Sequence, residues 1–141
     1  MRLFSADTKV EALRRVPLFE GLTKSELSKL AKVTEDLDVK AGKVLCKEGD
    51  IGREFFVIVE GEVDVTKDGG HLGTLGPGDF FGEIALIEHS RRTATVTTKT
   101  PLRFFVLTSQ GFWTMIDDNP GVERKVLRAL ARRVVSTDPT Q

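Results

Sequence analysis

The chain has 141 residues, 21 basic and 21 acidic, and therefore a formal net charge of zero. A chain of this length is predicted to form one domain, residues 1–141, with enough apolar residues for a buried core. The balanced charge does not indicate nucleic acid or a membrane surface as a general partner. The single cysteine excludes an internal disulfide, and no apolar run is long enough to span a bilayer, so a cytoplasmic protein is expected.

Two short helices are predicted at the N-terminal end, within about residues 8–33. The first covers about residues 8–15 with apolar residues on one face, and Pro17 ends it. Thr23 and Glu26 have the three-residue spacing of a capping box, so the second helix is expected to begin directly after Thr23. The apolar residues of both helices are interpreted as core.

Between about residues 34 and 108 the pattern changes from helical spacing to short stretches that are apolar or alternate. Glycine-rich turns separate these stretches from one another. Many short strands with such turns indicate an antiparallel sandwich or jelly roll. The predicted strands cover residues 37–39, 44–46, 55–59, 63–65, 72–75, 93–97 and 103–107.

Two further helices are predicted over about residues 109–135. Ser109 can cap the first of them, and the run from Asp117 to Pro120 breaks it. The second covers about residues 121–135 with an apolar stripe at helical spacing. Its other faces are basic, and they are interpreted as solvated surface.

The segment after the fifth predicted strand contains the residue types that a nucleotide requires. Gly82 lets the backbone approach a ligand closely, and the N–H groups of Ile84 and Ala85 can point at phosphate oxygens from a helix start. Ionised Glu83 only accepts hydrogen bonds, so it suits the hydroxyl groups of a sugar. Arg92 offers a planar fork that matches a phosphate at two points.

This segment resembles the phosphate-binding cassette of cyclic nucleotide-binding domains. The resemblance is carried by the run from Phe81 to Ile87, four intervening residues, and the run from Arg92 to Val96. Such domains are the sensors of cyclic nucleotide-dependent kinase regulatory regions, cyclic nucleotide-gated channels and catabolite-activator-like regulators. The resemblance implies an α+β fold in which an antiparallel β-roll (a jelly roll or double-stranded β-helix) is flanked by N-terminal helices and two C-terminal helices.

The resemblance also implies which residues bind the ligand, with no catalytic residue and no metal. In the cassette they are Phe81, Gly82, Glu83, Ile84, Ala85 and Arg92. Val65 and Leu75 match apolar positions that line the base, and Arg133 falls near a position where some channel sensors contact it. Thr93 either reaches the amine of a syn guanine or is a plain strand residue, and both interpretations remain open.

Four other residues bear on the site. Arg91 stands where many family members have proline, so which of the two neighbouring arginines dominates stays open. His71 and His89 are expected to be exposed loop residues, and their separation does not suggest a metal site. Cys46 lies within a short apolar strand and is expected to be buried and inert.

The leading interpretation is a non-catalytic sensor that binds a cyclic nucleotide and needs no cofactor. cAMP is favoured over cGMP by analogy, because cAMP is the commoner ligand of the bacterial-looking members of the family, and Thr93 leaves cGMP possible. The expected partners are the nucleotide and either an effector protein or a second copy bound through the C-terminal helix. No DNA-binding domain and no membrane span are expected in this chain.

Three other functions are possible. A catabolite-activator-like transcription regulator would need a helix-turn-helix after the last helix, for which this chain has no room, so the alternative is a sensor fragment of such a regulator. A cupin-like metal enzyme would need a histidine pair that the sequence lacks. A structural domain that has lost its ligand is disfavoured by the presence of Gly82, Glu83 and Arg92.

Overall fold

The computed structural model describes residues 6–137, with side chains described for residues 7–132. Two antiparallel sheets are flanked by helices at both ends of the chain, which confirms the predicted fold class. The helices are α1 (Ala6–Arg14), α2 (Lys24–Lys32), α3 (Ser109–Asp117) and α4 (Pro120–Thr137). The strands are β1 (Thr34–Val39), β2 (Val44–Cys46), β3 (Glu54–Glu60), β4 (Val63–Lys67), β5 (Gly70–Leu75), β6 (Phe80–Phe81), β7 (Thr95–Thr98) and β8 (Leu102–Thr108). Single 3₁₀ turns cover Pro17–Phe19 and Glu83–Leu86.

The two sheets face each other across an apolar core. One sheet has the strand order β1-β8-β3-β6 and the other has the order β2-β7-β4-β5. Alternate side chains of each strand point inward, as in other face-to-face sheet packings. The buried members of this core are Cys46, Phe56, Ile58, Val63, Val96, Leu102, Phe104 and Val106.

A second core lies between the first sheet and the helices. Phe55, Phe105 and Leu107 point to this side of the sheet and pack with apolar residues of all four helices. Phe19 is fully buried there, with its ring edge-on to Phe55 at 6.1 Å between centroids. Strands β3 and β8 are therefore buried on both faces, which explains why their sequences are dense in apolar residues and do not alternate.

The capping residues fix where two helices start. Thr23 and Glu26 form the predicted capping box, with hydrogen bonds of 2.8 Å and 3.2 Å between side chain and backbone. The predicted cap of α3 was wrong by one residue, because Thr108 accepts the hydrogen bond from Gly111 N–H at 3.0 Å. Thr108 still has the extended backbone of β8, which a capping residue requires, whereas Ser109 is already helical.

Other boundaries also differ from the sequence-based prediction. Strand β7 begins at Thr95, two residues later than predicted, and the short strand β6 was not predicted. Strand β5 begins at Gly70, so His71 is an exposed strand residue and not a loop residue. His71 Nε2 lies 3.2 Å from Asp64 Oδ1 across the β4–β5 pair. Within residues 6–137, no helix has the length and apolar character needed to cross a membrane.

Candidate functional site

A cavity of about 620 Å³ opens beside the 3₁₀ turn Glu83–Leu86 and the second sheet. Its volume lies within the range of about 300–1,000 Å³ that is typical of small-molecule sites. Nine of the ten residues predicted to bind ligand line it, so the fold brings together positions that are distant in sequence. These nine are Val65, Leu75, Phe81, Gly82, Glu83, Ile84, Ala85, Arg92 and Thr93.

One wall of the cavity is apolar and comes from strands β4, β5 and β7. Val65 lies opposite Val96 in the β4–β7 pair, and Leu75 lies opposite Val63 in the β4–β5 pair. Antiparallel pairing places these side chains next to each other on one sheet face. Phe81 of β6 is also in the lining, and its ring stacks on Phe56 at 4.7 Å between centroids. This wall can accept a flat apolar group.

Gly82 makes the turn from β6 into the 3₁₀ turn possible. Its φ of 81° and ψ of 17° lie in the left-handed region that glycine adopts most readily. A Cβ at this position would lie 2.6 Å from Nη1 of Arg92 and 2.8 Å from the carbonyl oxygen of Glu54. Both the backbone conformation and the close neighbours therefore require glycine here.

The predicted helix start after Gly82 is only a 3₁₀ turn of four residues. The N–H of Ala85 donates to the carbonyl oxygen of Gly82 at 3.1 Å, so it is already used inside the turn. The prediction that both Ile84 and Ala85 offer free N–H groups is therefore corrected for Ala85. Ile84 lines the cavity, and its side chain is 46% exposed.

Glu83 is the only buried carboxylate among the described side chains, with 8% exposure. It lines the cavity, and its Oε2 atom is shielded from solvent. An ionised carboxylate only accepts hydrogen bonds, so Glu83 can bind donor groups that enter the cavity. The hydroxyl groups of a sugar are donors of this kind.

Arg92 brings a positive charge to the same cavity. Its Nη2 donates to the carbonyl oxygen of Glu54 at 2.8 Å, and its Cζ lies 6.0 Å from the centroid of the Phe56 ring. Within the part of the chain that the structure describes, no carboxylate lies within salt-bridge distance of Arg92. A half-buried guanidinium with no counter-charge is suited to bind an anion.

Arg91 and Thr93 flank Arg92 and also line the cavity. Arg91 is exposed, and its Nη1 donates to the carbonyl oxygen of Gly49 at 2.7 Å. Thr93 is exposed in a bend before β7 begins, so it takes no part in the strand ladder. Its hydroxyl group therefore stands at the cavity without a structural role in the sheet.

Several cavity residues were not predicted from the sequence. Cys46 is the most informative of them. It is buried, as expected, but it lies in the cavity wall and not in a part of the core away from the site. Burial raises the pKa of its thiol to about 11, Arg92 opposes this rise and Glu54 adds to it. Only the long-range pairing of β2 with β7 places Cys46 there, and no local pattern reveals such a pairing. The other unpredicted lining residues are Leu72, Gly73, Thr74, Ser90, Arg91, Ala94 and Val96.

The last helix does not cover the cavity as far as its side chains are described. The side chain of Arg133, the tenth predicted residue, lies outside the described residues. Up to Arg132, no α4 side chain lines the cavity, and Val122 and Val126 are buried in the helical core instead. The family resemblance also implies that the last helix covers the base as a lid, and this part of α4 does not do so, because its buried apolar residues pack in the helical core.

The described residues hold no group of three or more histidine, cysteine or acidic side chains that could bind a metal ion. His89 Nε2 lies 2.9 Å from Ser109 Oγ, at the start of α3. His89 is an exposed loop residue, as expected, and this contact connects the segment after the 3₁₀ turn to a helix.

Comparison with known proteins agrees with this geometry. A family model described as "Cyclic nucleotide-binding domain" matches residues 37–119, more than half of the chain. The chain belongs to the cyclic nucleotide-binding domain family. The matched region contains β2 to β8, the complete cavity wall and all nine of the predicted residues found in it.

Individual members of the cyclic nucleotide-binding domain family are similar to the chain over much of its length. The cAMP-dependent protein kinase regulatory subunit of Schizosaccharomyces pombe is 41% identical over 64% of the chain, which spans 22% of that protein. The CRP-like cAMP-activated global transcriptional regulator of Mycobacterium tuberculosis is 31% identical over 91% of the chain, which spans 59% of that protein.

Among solved structures, the N-terminal domain of a transcriptional regulator from Streptomyces coelicolor A3(2) matches with a TM-score of 0.83 and 32% identity. That match covers 90% of the chain and 94% of the solved domain. The solved domain thus matches nearly all of this chain, whereas the chain spans only 22% and 59% of the two longer relatives.

Proposed function

We propose that this domain binds a cyclic nucleotide, with cAMP favoured, and acts as a non-catalytic regulatory module. The observation that carries the proposal is the presence of a buried carboxylate, Glu83, and a half-buried arginine, Arg92, in one cavity with an apolar wall. Acceptor, cation and apolar wall correspond to the ribose, the phosphate and the base of one small ligand.

Each part of the site then has a defined role. Arg92 neutralises the ring phosphate, and Glu83 accepts a hydrogen bond from the ribose 2′-hydroxyl. Val65 and Leu75 contact the base, while Gly82 allows the backbone to approach the ligand. The remaining cassette residues complete the wall around the sugar and phosphate, and these are Phe81, Ile84 and Ala85.

The choice of cAMP rests on the relatives and not on the cavity itself. The names of the fission-yeast and mycobacterial relatives describe them as cAMP-dependent and cAMP-activated. Thr93 keeps cGMP as an alternative, because its exposed hydroxyl group stands in the cavity wall where it can accept from a guanine amine.

No chemistry on the ligand is needed for this function, and the bound state itself is the signal. The signal passes to an effector protein or to a second copy of the chain. A second candidate is the sensor part of a transcription regulator, which is favoured by the match of nearly the whole chain to the S. coelicolor domain. Both candidates use the same binding step.

Calorimetric titration of the purified protein with cAMP, cGMP and the open-ring nucleotide 5′-AMP tests the proposal. Saturable binding of one ligand per chain is expected for cAMP, with weaker binding of 5′-AMP, because its doubly charged phosphate is larger and more strongly hydrated. Absence of heat for both cyclic nucleotides, with a matching absence of thermal stabilisation, would contradict the proposed function.

A further inference from the structure

Gly52 lies in the loop between β2 and β3, and it is buried against the guanidinium of Arg92. A Cβ at this position would lie 2.7 Å from both Cζ and Nε of Arg92 and 2.9 Å from Nη1. The backbone of Gly52 is not among the left-handed glycines, so its conformation does not itself demand glycine. The nearest atoms that a side chain here would meet belong to the Arg92 guanidinium.

Backbone hydrogen bonds hold the Gly52 loop to the segment that carries Arg92. Gly52 N–H donates to the carbonyl oxygen of Ser90 at 3.0 Å, and Arg92 N–H donates to that of Asp50 at 2.7 Å. The carbonyl oxygen of Arg92 accepts a third hydrogen bond from Gly49 N–H at 2.9 Å. Since these bonds are made by Gly52 and by two residues just before it, the loop cannot move away from Arg92 without breaking them.

Two glycines therefore lie against the guanidinium. Gly52 is one, and Gly82, whose added Cβ would lie 2.6 Å from Nη1, is the other. The carbonyl oxygen of Glu54 fixes one edge of the guanidinium through Nη2 at 2.8 Å. A planar fork binds a phosphate at two points only when its plane is held within about 0.5 Å and 10–20° of the productive position.

We infer that Gly52 is a positioning residue that sets the place of the Arg92 guanidinium for an anionic phosphate ligand. The inference rests on the proposed function. It adds to the binding site a residue that lies outside the phosphate-binding cassette and outside the cavity lining. An added methyl group must move the guanidinium from 2.7 Å to an ordinary contact of at least 3.4 Å. The shift also strains the hydrogen bond to Glu54, so the fork loses both its position and its orientation.

The test is a double-mutant cycle of Gly52→Ala and Arg92→Ala, with cAMP affinity measured by calorimetry and stability by thermal melting. Gly52→Ala alone should weaken cAMP binding by about tenfold or more, because the fork is displaced. In the Arg92→Ala background the same change should alter affinity by less than about twofold, because the group it displaces is absent. The matched control is Gly76→Ala, since a Cβ there meets no atom within 4 Å.

Each outcome has one meaning. Equal losses from Gly52→Ala in both backgrounds would overturn the inference and leave a purely structural role for the loop. Unchanged affinity of Gly52→Ala beside clear binding by the wild type would overturn the inference alone, whereas no binding by the wild type would overturn the proposed function with it. If Gly52→Ala unfolds at too low a temperature to be titrated, the melting temperatures of the variants are compared instead. The melting temperature of Gly52→Ala/Arg92→Ala should then be higher than that of Gly52→Ala. No increase would contradict the inference.

Discussion

The ammonium group of Lys125 on α4 lies 2.7 Å from Oε1 of Glu26, the same oxygen that accepts the Thr23 N–H in the capping box of α2. The Glu26 carboxylate therefore completes the capping box of α2 and also forms an ion pair with α4. A second ion pair, Arg132 to Glu20 at 2.8 Å, lies farther along α4. These contacts hold α4, up to Arg132, against the N-terminal part of the chain.

Charge on Glu26 should make the stability of the protein depend on pH. Burial raises the pKa of Glu26, but the hydrogen bonds from Lys125 and Thr23 outweigh this, and the net pKa is below its ordinary value of 4.5. The stabilisation is thus complete above pH 4.5 and is lost as the pH falls below it. Glu26→Gln should lower the free energy of unfolding at pH 7 by up to about 1 kcal/mol. Acidification should then lower the free energy of unfolding of this variant less than that of the wild type.

Urea unfolding at pH 7 and at about pH 3 measures this difference. The control is Glu62→Gln, which removes an exposed carboxylate that lies outside the contact between α4 and α2. A Glu26→Gln protein that loses as much stability as the wild type between the two pH values would show that the shared carboxylate contributes nothing.

Arg92 should supply most of the affinity for phosphate. Removal of one partner from a charge-assisted pair in a partly dry site costs about 2–5 kcal/mol, which is tens- to thousands-fold in affinity. Arg92→Ala should therefore weaken cAMP binding by that factor. Arg91→Ala is the matched control, because Arg91 is exposed and bonded to the Gly49 carbonyl oxygen, and it should change affinity only a few-fold. If calorimetric titration shows a larger loss of affinity for Arg91→Ala than for Arg92→Ala, the phosphate is assigned to Arg91.

Local signals made a large part of this structure predictable. The capping box at Thr23 and Glu26 depends on residues three apart, and the dense apolar pattern of β3 reflects its burial on both faces. The predicted site residues of the phosphate-binding cassette lie in two short runs that are close in sequence, and the fold places both runs at the cavity. Such features need no knowledge of which distant segments pair.

Long-range contacts were not predictable in the same way. Gly52 and Arg92 are 40 positions apart, and their contact depends on the pairing of a loop with a segment that precedes β7. Cys46 enters the cavity wall because β2 pairs with β7 in one particular register. The position of α4 depends on Glu26 and Lys125, 99 positions apart. In all three cases the sequence contains the residues, but the partner is chosen by the tertiary fold.

Glu83 should act through the ribose 2′-hydroxyl. Glu83→Ala and a ligand without that hydroxyl, 2′-deoxy cAMP, should each weaken binding, and the two effects should not add because they remove one contact. Calorimetry on the four combinations measures the coupling. Glu88→Ala, which removes an exposed carboxylate close in sequence, should leave affinity for both ligands unchanged. Full additivity would show that Glu83 and the hydroxyl group do not touch.

Thr93 should affect one ligand and not the other. If its hydroxyl group accepts a hydrogen bond from the guanine amine, Thr93→Ala should cost about 0.5–1.5 kcal/mol of cGMP binding and leave cAMP binding unchanged. Thr97→Ala is the control, because Thr97 lies in β7 but outside the cavity lining. Competition titration measures the ratio of the cAMP and cGMP affinities. An equal loss of affinity for both nucleotides would exclude a role of Thr93 in selectivity.

Cys46 should report on occupation of the cavity, because it is the only cysteine of the chain and lies in the cavity wall. With a thiol pKa of about 11, roughly one molecule in a thousand carries the reactive thiolate at pH 8, so modification by iodoacetamide should be slow and should keep rising up to about pH 10. Cyclic nucleotide should slow the modification further, since the ligand covers the thiol and its phosphate offsets the charge of Arg92, which otherwise lowers the pKa of Cys46.

The rate of modification in denaturant gives the reference for an unprotected thiol, and Cys46→Ser confirms that the label is at this position. A rate that levels off near pH 9 would show that burial does not raise the pKa of Cys46. A rate that does not change with saturating cAMP or cGMP would show that the ligand does not cover the thiol.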